Sequence, residues 1–426
     1  MAEPGVVLEG VGDWISRYLK YTEEHEGPLM FHYWAAVSVI AGALERKVWI
    51  KRGYENIHPN MYILFVGPPG RARKSASANI GINVLETIKT VSLAADKTST
   101  EALLRALETS KKDSLWSKEA NKMFTHSSLT VWSREFGLLA ARKELERGLS
   151  QVLIELYDCP KTPHNPIWTY DIIGRTPSRI PMPCLNILGC TTPKWVAKNF
   201  SMEIEEGLPS RFIYVFEENK RHKDPLELVP ESRLSLFAQL SQELMVIHKL
   251  TGEFTMTRAA LARYAYWYKD EEEGDRKTSD ERFGAYYERK PRHLLKLSII
   301  HAAARGGKEV DERDINRSLV VLGLTEEKMV KALGIGSDQL NVEVLQKVNK
   351  IIYEHGDRGV KRSTLGHAVF RLCPLAKDLD VVIDSLYAMG RIHIQQGRPI
   401  RYTRVEGMDP DMDKAATKMR EKDREG

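Results

Sequence analysis

The stretch 61-MYILFVGPPGRARKSASANIGINVLETIK-89 predicts a buried strand, a turn and a helix in close succession. Met61 to Val66 is an unbroken apolar run, which is typical of a strand that is covered on both faces in a parallel sheet. Apolar residues then recur at helical spacing from Ser75 to Lys89. A strand that delivers a glycine-containing turn to the start of a helix is an arrangement that binds phosphate, so this stretch predicts an α/β core with a phosphate site.

The turn is related to the usual phosphate-binding pattern, G-x-x-x-x-G-K-[ST], but its spacing differs. Counting back from Lys74, Pro68 and Arg73 occupy the two glycine positions, whereas Gly67 and Gly70 flank two prolines. Lys74 and Ser75 still begin the helix, where they would meet phosphate and Mg²⁺. The alternative is an ordinary Gly/Pro turn, although such turns rarely carry Lys-Ser at the helix start. We expect the nucleotide to contact Gly67, Pro68, Pro69, Gly70, Arg71, Ala72, Arg73, Lys74, Ser75 and Ala76.

A second core strand, 127-SSLTVW-132, ends at Ser133-Arg134-Glu135. Nucleotide hydrolases need acidic side chains at such a strand end, where they hold Mg²⁺ and orient the attacking water. Glu135 has the position of the catalytic base and of a metal ligand, while Arg134 stands where an Asp is usual. Ser133 offers a hydroxyl for a metal-bridging water. The alternative is an exposed strand end with an incidental glutamate, and the missing Asp gives it weight. The apolar strand that precedes it favours Glu135 as the general base.

Two further strand ends carry candidate residues. The strand 184-CLNILGC-190 ends in Thr191 and Thr192, where a polar side chain commonly senses the γ-phosphate. Thr192 also fits a helix N-cap before Pro193, and both interpretations can hold together. Arg211 begins the strand 211-RFIYVF-216, and an Arg at this point can reach the nucleotide of a neighbouring subunit. The alternative is a surface ion pair with Glu205 or Glu206.

Composition sets wide limits. The chain has 426 residues, 42% of them apolar, which predicts two to four domains with a sizeable core. Its formal net charge of +5 comes from 63 basic and 58 acidic residues, so it permits nucleic-acid binding without requiring it. The four cysteines form no CxxC pair, which predicts no metal site of that type and a reducing compartment. No apolar run reaches about 18 residues, so we expect no membrane span and a cytoplasmic location.

The pattern of strands and helices predicts five regions. Strands alternate with helices up to about Asn219, then helical periodicity dominates, and finally three helices precede a hairpin, which is the winged-helix pattern. We expect an N-terminal helical region at 1–55, the α/β core at 56–220, a helical lid at 221–335, a winged helix at 339–406 and a disordered charged tail at 407–426.

The order of these motifs resembles that of the P-loop helicase-type ATPases encoded by phages and mobile elements. The motifs are, in chain order, GPPG, Lys74-Ser75, a strand followed by Glu135, Thr191-Thr192-Pro193 and 208-LPSRF-212. They are also similar to the AAA+ hexameric helicases of the superfamily 3 and minichromosome-maintenance classes, in which the Arg of the "SRF" motif acts as a finger. The likeness covers roughly residues 30 to 335. The lengthened first motif and the absent Asp depart from the pattern and place the rate of hydrolysis in question.

This resemblance implies a P-loop (AAA+/RecA-like) ATPase core and an ATP-driven DNA helicase or translocase. It implies a hexameric ring with ATP and Mg²⁺ between subunits, working in phage or plasmid DNA replication in the host cytoplasm. The implied partners are single-stranded or forked DNA and a primase or polymerase. It also implies a second sensor Arg on the lid, for which Arg292 is our first choice and Arg289 the reserve; a solvated basic face is equally open.

The segment between Tyr157 and Cys184 predicts a β-hairpin, from 167-IWTYDII-173 to the Gly-Arg-Thr-Pro that follows. In the resembling helicases a hairpin at this place grips DNA in the ring's pore, whereas the alternative is an ordinary surface loop. The candidate DNA contacts are basic side chains and two aromatic rings able to stack on bases: Lys161, His164, Arg175 and Arg179, with Trp168 and Tyr170.

Two other functions stay open at this point. Arg134 in place of Asp favours an ATP-binding switch that assembles on DNA or serves as a replication scaffold with little turnover. The second of these functions is that of a winged-helix regulator with an ATPase module. Its third helix carries Asp378, Asp380 and Asp384, which phosphates would repel, so that helix is a poor reader of the major groove.

Overall fold

The computed structural model describes residues 12–94, 99–117, 122–141, 145–171, 177–200, 207–226, 231–273, 284–332, 338–369, 376–388, 391–395 and 400–405. The chain divides into two compact units, Met1–Gly334 and Ile335–Gly426. Within these described ranges, no helix is long and apolar enough to cross a membrane.

The first unit contains both strands and helices. Its strands are β1 (Val48–Arg52), β2 (Glu55–Ile57), β3 (Tyr62–Val66), β4 (Leu93–Ala94), β5 (Lys111–Ser117), β6 (Lys122–Ser133), β7 (Ile167–Tyr170), β8 (Ser178–Pro181), β9 (Pro183–Thr191), β10 (Phe212–Phe216), β11 (Gly252–Glu253), β12 (Thr255–Met256) and β13 (Glu309–Val310). Its helices are α1 (Trp14–Tyr21), α2 (Leu29–Leu44), α3 (Lys74–Leu85), α4 (Thr100–Thr109), α5 (Phe136–Leu139), α6 (Ser150–Tyr157), α7 (Pro193–Asn199), α8 (Glu231–His248), α9 (Arg258–Glu273), α10 (Gly284–Ala304), α11 (Glu312–Glu326) and α12 (Met329–Ala332).

The centre of this unit is a six-stranded sheet in the order β10-β3-β9-β6-β4, with β5 paired to β6. The five strands of the main path run parallel, so the predicted α/β core with a parallel sheet is confirmed. Only β5 is antiparallel. It was not predicted, because 111-KKDSLWS-117 lacks the apolar run that marks the interior strands.

Helices cover both faces of the sheet. On one face, Phe31 of α2 stacks on Phe65 of β3 with ring centroids 4.6 Å apart. On the other, the hydroxyl of Tyr62 donates to the Leu153 carbonyl of α6 over 3.0 Å. All of β3 is therefore buried, which is why its sequence reads as a continuous apolar run.

The N-terminal helices belong to the same compact unit as the sheet and the later helices. Helix α2 is buried along almost its whole length. Trp14 of α1 donates its indole N–H to the Leu240 carbonyl of α8 over 2.9 Å, although the two residues are 226 positions apart. The regions predicted at 1–55, 56–220 and 221–335 thus share one core up to Gly334.

The second unit contains α13 (Asp338–His355), β14 (Val360–Lys361), α14 (Arg362–Val369), α15 (Ala376–Ala388), β15 (Ile392–Gln395) and β16 (Arg401–Arg404). The strands form an antiparallel sheet in the order β14-β16-β15. Val348, Leu365, Ile383 and Tyr402 are among the residues of its own small core. Three helices and a terminal hairpin follow the predicted order, and the winged-helix function remains a prediction. The predicted tail at 407–426 lies outside the described residues.

Candidate nucleotide-binding site

The sheet has a topological switch point between β3 and β9. The chain leaves β3 through α3 and continues to β4 at one end of the sheet. It leaves β9, the neighbour of β3, in the opposite direction and continues to β10 on the other side of β3. Open α/β sheets bind ligands in the crevice at the carboxyl ends of two such strands. The segments that follow Val66 and Thr191 meet at this crevice, because those two residues are paired in register.

The start of the loop is built for a glycine. The Gly67 N–H donates to the Thr191 carbonyl over 3.4 Å. A Cβ on Gly67 would lie 2.3 Å from the carbonyl oxygen of Glu217, a contact that no side chain tolerates. Gly70 has a φ of 70°, in the region that favours glycine. These two positions explain the glycines that the sequence retains.

Lys74 is the first residue of α3, as the motif predicts. Its Nζ donates to the carbonyls of Gly67 and Pro68 over 2.7 and 2.9 Å, so the side chain folds over its own loop. Burial lowers the pKa of Lys74. An incoming phosphate would give the ammonium group a charged partner in place of neutral carbonyls, which makes a stronger hydrogen bond.

Ser75 lies beside Cys190 of β9. The Ser75 hydroxyl hydrogen-bonds the Cys190 thiol, and burial raises the pKa of that thiol to about 12, so it stays protonated. The hydroxyl is therefore held at the mouth of the crevice, one residue into α3. Of the other loop positions, Pro69, Gly70, Arg71 and Ala76 are exposed.

Arg73 has an unusual backbone conformation. It precedes α3 with φ 53° and ψ 31°, in the left-handed region, where an L-residue is destabilised by roughly 1–2 kcal/mol. The usual motif has glycine at this position, and glycine adopts the conformation without strain. The Arg73 Nε donates to Glu26 Oε2 over 2.7 Å. The guanidinium group is thus directed to Glu26 in this conformation, and contact between the Arg73 side chain and phosphate stays a prediction.

The strand β6 brings Ser133 and Glu135 to the same edge. Ser133 is paired with Gly189 of β9, two residues before Thr191. Because β6 is the second strand from β3 and neighbouring strands are about 4.8 Å apart, Glu135 lies roughly 10 Å across the edge from the start of the loop. Glu135 is exposed. The Ser133 hydroxyl is buried and has no hydrogen-bond partner, so it is an unsatisfied polar atom at the strand end.

These residues fit Mg²⁺ only together with a nucleotide. Among the residues that the structure describes, no cluster of three or more His, Cys, Asp or Glu side chains could hold a metal ion. Mg²⁺ at phosphate sites takes most of its ligands from phosphates and water and only one or two from the protein. Ser75, Glu135 and the unsatisfied hydroxyl of Ser133 are the groups that would hold it, the last through a water.

The two threonines have different surroundings. Thr191 is buried at the end of β9. Thr192 is the N-cap of α7, and its side chain accepts a hydrogen bond from the Trp195 N–H over 3.3 Å, with Pro193 in the first turn. The capping interpretation of Thr192 is confirmed. Contact of either threonine with a γ-phosphate stays a prediction.

Arg211 lies at the opposite, amino-terminal edge of the sheet. It ends a 3₁₀ turn directly before β10 rather than beginning the strand. The five residues of β10 run alongside β3, so at about 3.3 Å per residue Arg211 is roughly 17 Å from its own loop. Its side chain is 7% exposed and donates to Asp158 Oδ2 over 2.9 Å. A finger role therefore stays a prediction, and this position restricts it to the nucleotide of another subunit.

Arg292 shares that carboxylate. It bonds Asp158 and also Glu55, at 2.6 Å for the second contact. Arg289 bonds the Ser210 hydroxyl over 2.8 Å. Neither residue is beside Lys74, so the predicted sensor role of Arg292 is likewise restricted to a neighbour's nucleotide.

The sequence reasoning did not single out Asp158, the residue that links these cations. Its partners Arg211 and Arg292 lie 53 and 134 positions away, and no local pattern marks it. Nearby, the buried Lys296 donates to both oxygens of Asn60, and burial lowers its pKa to about 8.

The predicted hairpin is present as β7 and β8, which pair antiparallel. The prediction that Trp168 stacks on bases is not supported, because its ring is 4% exposed, donates its N–H to Glu155 over 2.9 Å and stacks on Tyr170. Arg179 and His164 are exposed, and Lys161 is half-buried. Arg175 lies outside the described residues.

Comparison with known proteins adds no assignment. No protein-family model matches this sequence, and no curated protein is significantly similar to it. The function is therefore argued from the residues and their geometry.

Proposed function

We propose that this chain is an ATP-dependent DNA helicase or translocase that works as a ring. The further proposal that it serves phage or plasmid replication rests on the motif resemblance alone. One observation carries the ATPase part of the proposal. Lys74 and Ser75 at the start of α3, the end of β9 and the acidic end of β6 meet at one edge of the sheet, around its switch point. Local sequence motifs that were recognised separately thus converge on one crevice.

Each residue would have a distinct task in ATP hydrolysis. The loop N–H groups and the N-terminus of α3 would bind the phosphates, with Lys74 on the β- and γ-oxygens. Glu135 would orient the attacking water and accept its proton. Mg²⁺, when bound, would neutralise charge on the phosphates, and the Ser75 hydroxyl would be one of its protein ligands.

The ring part of the proposal is supported by distance. Since Arg211 lies roughly a full strand length from its own loop, only another copy of the chain could bring it to a γ-phosphate. The hairpin β7–β8 leads into the amino end of β9 and so lies toward the same edge. Its exposed Arg179 would contact the backbone of a single strand.

A second function is favoured by one feature. Arg134 stands in the place of the metal-binding Asp, and Ser133 offers a neutral hydroxyl instead. A site that lacks this carboxylate would bind ATP yet hydrolyse it slowly. The chain would then be an ATP-binding switch that assembles on DNA.

The decisive experiment measures ATP binding and hydrolysis with and without single-stranded DNA. The wild type is compared with Lys74→Ala and with Lys89→Ala, an exposed lysine beyond the end of α3 that serves as the control. DNA-stimulated hydrolysis that only Lys74→Ala abolishes supports the motor. ATP binding without stimulated turnover favours the switch. Absence of ATP binding in the folded wild type rejects both.

A further inference from the structure

We infer that Glu26 is a positioning residue for the phosphate-binding loop, in which the ion pair between Glu26 and Arg73 replaces the missing glycine. The inference rests on the proposed ATP site and concerns the ion pair that fixes the conformation of its loop. Its starting point is the left-handed backbone at Arg73, φ 53°, at the position where the usual motif has glycine. A non-glycine residue keeps such a conformation only when its surroundings hold it there.

Glu26 is fixed from several sides. Its side chain is 1% exposed, and its two oxygens accept from Lys220 Nζ over 2.6 and 2.7 Å. The backbone N–H of Asp224 donates to Oε1 over 2.9 Å. The hydrogen bonds from Lys220 and Arg73 lower the pKa of Glu26 to about 2, so it is a carboxylate throughout the physiological range.

The segment that carries Glu26 lies directly against the start of α3. A Cβ on Gly27 would lie 2.0 Å from the Ser77 hydroxyl, so only glycine allows the segment to approach this closely. Ser77 in turn donates its backbone N–H and its hydroxyl to the Arg73 carbonyl, over 2.9 and 3.0 Å. The backbone of Arg73 is therefore held through its carbonyl by α3 and through its guanidinium group by Glu26.

The residues that hold Glu26 come from the segment after β10. Lys220 and Asp224 lie in this segment, and β10 pairs along its whole length with β3, the strand that leads into the phosphate-binding loop. The backbone N–H of Arg221 also donates to the Glu26 carbonyl over 3.0 Å. Glu26 thus connects the loop to the neighbouring strand, and it directs Arg73 away from Lys74, which is left to bind the phosphate.

The test uses the contrast between alanine and glycine at position 73. Affinity for a fluorescent ATP analogue with Mg²⁺ is measured for the wild type, Glu26→Gln, Arg73→Ala, Arg73→Gly and the double variant Glu26→Gln/Arg73→Gly. We expect Glu26→Gln and Arg73→Ala to weaken binding about tenfold. Arg73→Gly should bind more tightly than Arg73→Ala, and the double variant should match Arg73→Gly, since glycine needs no ion pair to adopt the left-handed conformation.

The control is Glu243→Gln, which removes a carboxylate from an ion pair of 2.7 Å with Arg17 between α8 and α1. Circular dichroism melting of each variant separates loop effects from loss of folding. Equal weakening by Arg73→Ala and Arg73→Gly would show that the guanidinium group itself binds phosphate and would overturn the inference. A double variant as weak as Glu26→Gln, or Glu26→Gln that binds like the wild type, would also overturn it. A folded wild type that binds no ATP rejects the proposed function itself.

Discussion

The charged side chains at the two edges of the central sheet differ in the partners that they bond. At the carboxyl edge, Lys74 donates to neutral carbonyls of its own loop, and Glu135 is exposed. At the amino edge, Arg211 and Arg292 both pair with Asp158. Under the proposed function, Lys74 at the carboxyl edge would exchange these neutral carbonyls for a phosphate. The cations of the amino edge already have a carboxylate, which they would have to release to act on the nucleotide of a second subunit in the proposed ring.

The largest expected effect lies at the carboxyl edge. Glu135→Gln should lower the rate of ATP hydrolysis about 100- to 1,000-fold and leave ATP affinity nearly unchanged, because an amide cannot accept the proton of the attacking water. Single-turnover hydrolysis and equilibrium binding measure the two quantities. Glu86→Gln, an exposed glutamate directly after α3, is the matched control. An unchanged rate in Glu135→Gln would remove the catalytic distinction between the edges and favour the switch function.

The next test joins the two edges across subunits. Lys74→Ala and Arg211→Lys should each reduce hydrolysis, because the first loses the phosphate contact and the second the planar group that reaches the neighbour. Mixing equal amounts should restore up to about a quarter of the wild-type rate, since half of the subunits supply each intact residue. Hydrolysis is measured before and after mixing. If the mixture stays as inactive as its components, the separation of Arg211 from its own loop has no function in trans.

A smaller effect is expected at the centre of the amino edge. Asp158→Asn should lower the free energy of unfolding by about 2 kcal/mol, less than for a fully buried pair because Asp158 is one-third exposed. Burial raises the pKa of Asp158, but the hydrogen bond and charge of Arg211, with Arg292, outweigh it and leave the pKa below its usual 3.8.

The sign of the pH dependence follows from that shift. A carboxyl group with a depressed folded pKa contributes stability above its unfolded pKa and loses it as the pH falls through the folded value. Urea unfolding should therefore show a constant difference between wild type and Asp158→Asn above about pH 5 and a shrinking one below about pH 4. A difference that grows on acidification would contradict the assignment of Asp158 as the charged partner.

The contrast between the two edges of the sheet also explains which site residues could be predicted from the sequence. The carboxyl edge follows from local rules, because the buried strand β3, the Lys-Ser at the start of α3 and the glutamate after β6 are each short motifs. The amino edge depends on contacts between distant segments, so the Asp158 partnership had no local signal. The strained Arg73 is intermediate: its anomaly is visible in the motif, but its partner Glu26 lies 47 positions earlier.

The hairpin shows the same limit of prediction from local sequence. The alternation of side chains along β7 does not reveal which face of the strand is buried by the rest of the protein. Trp168 is buried, while Thr169 is exposed. The identity of an aromatic residue in a predicted hairpin therefore does not predict whether its ring is available to a base. Tertiary contact with Glu155 of α6 decides it here.

The smallest expected effect tests whether this hairpin touches DNA. Arg179→Gln should weaken binding of single-stranded DNA about threefold and reduce its salt dependence by about 0.7 in log–log slope, because one phosphate contact is lost. Trp168→Phe should leave the affinity unchanged and lower the melting temperature, since the ring is buried. Fluorescence anisotropy at two salt concentrations measures both variants. If Trp168→Phe weakens binding more than Arg179→Gln in a fully folded protein, the indole ring must turn outward to contact DNA. The amino edge would then rearrange when DNA binds, and release of Arg211 from Asp158 requires a rearrangement at the same edge.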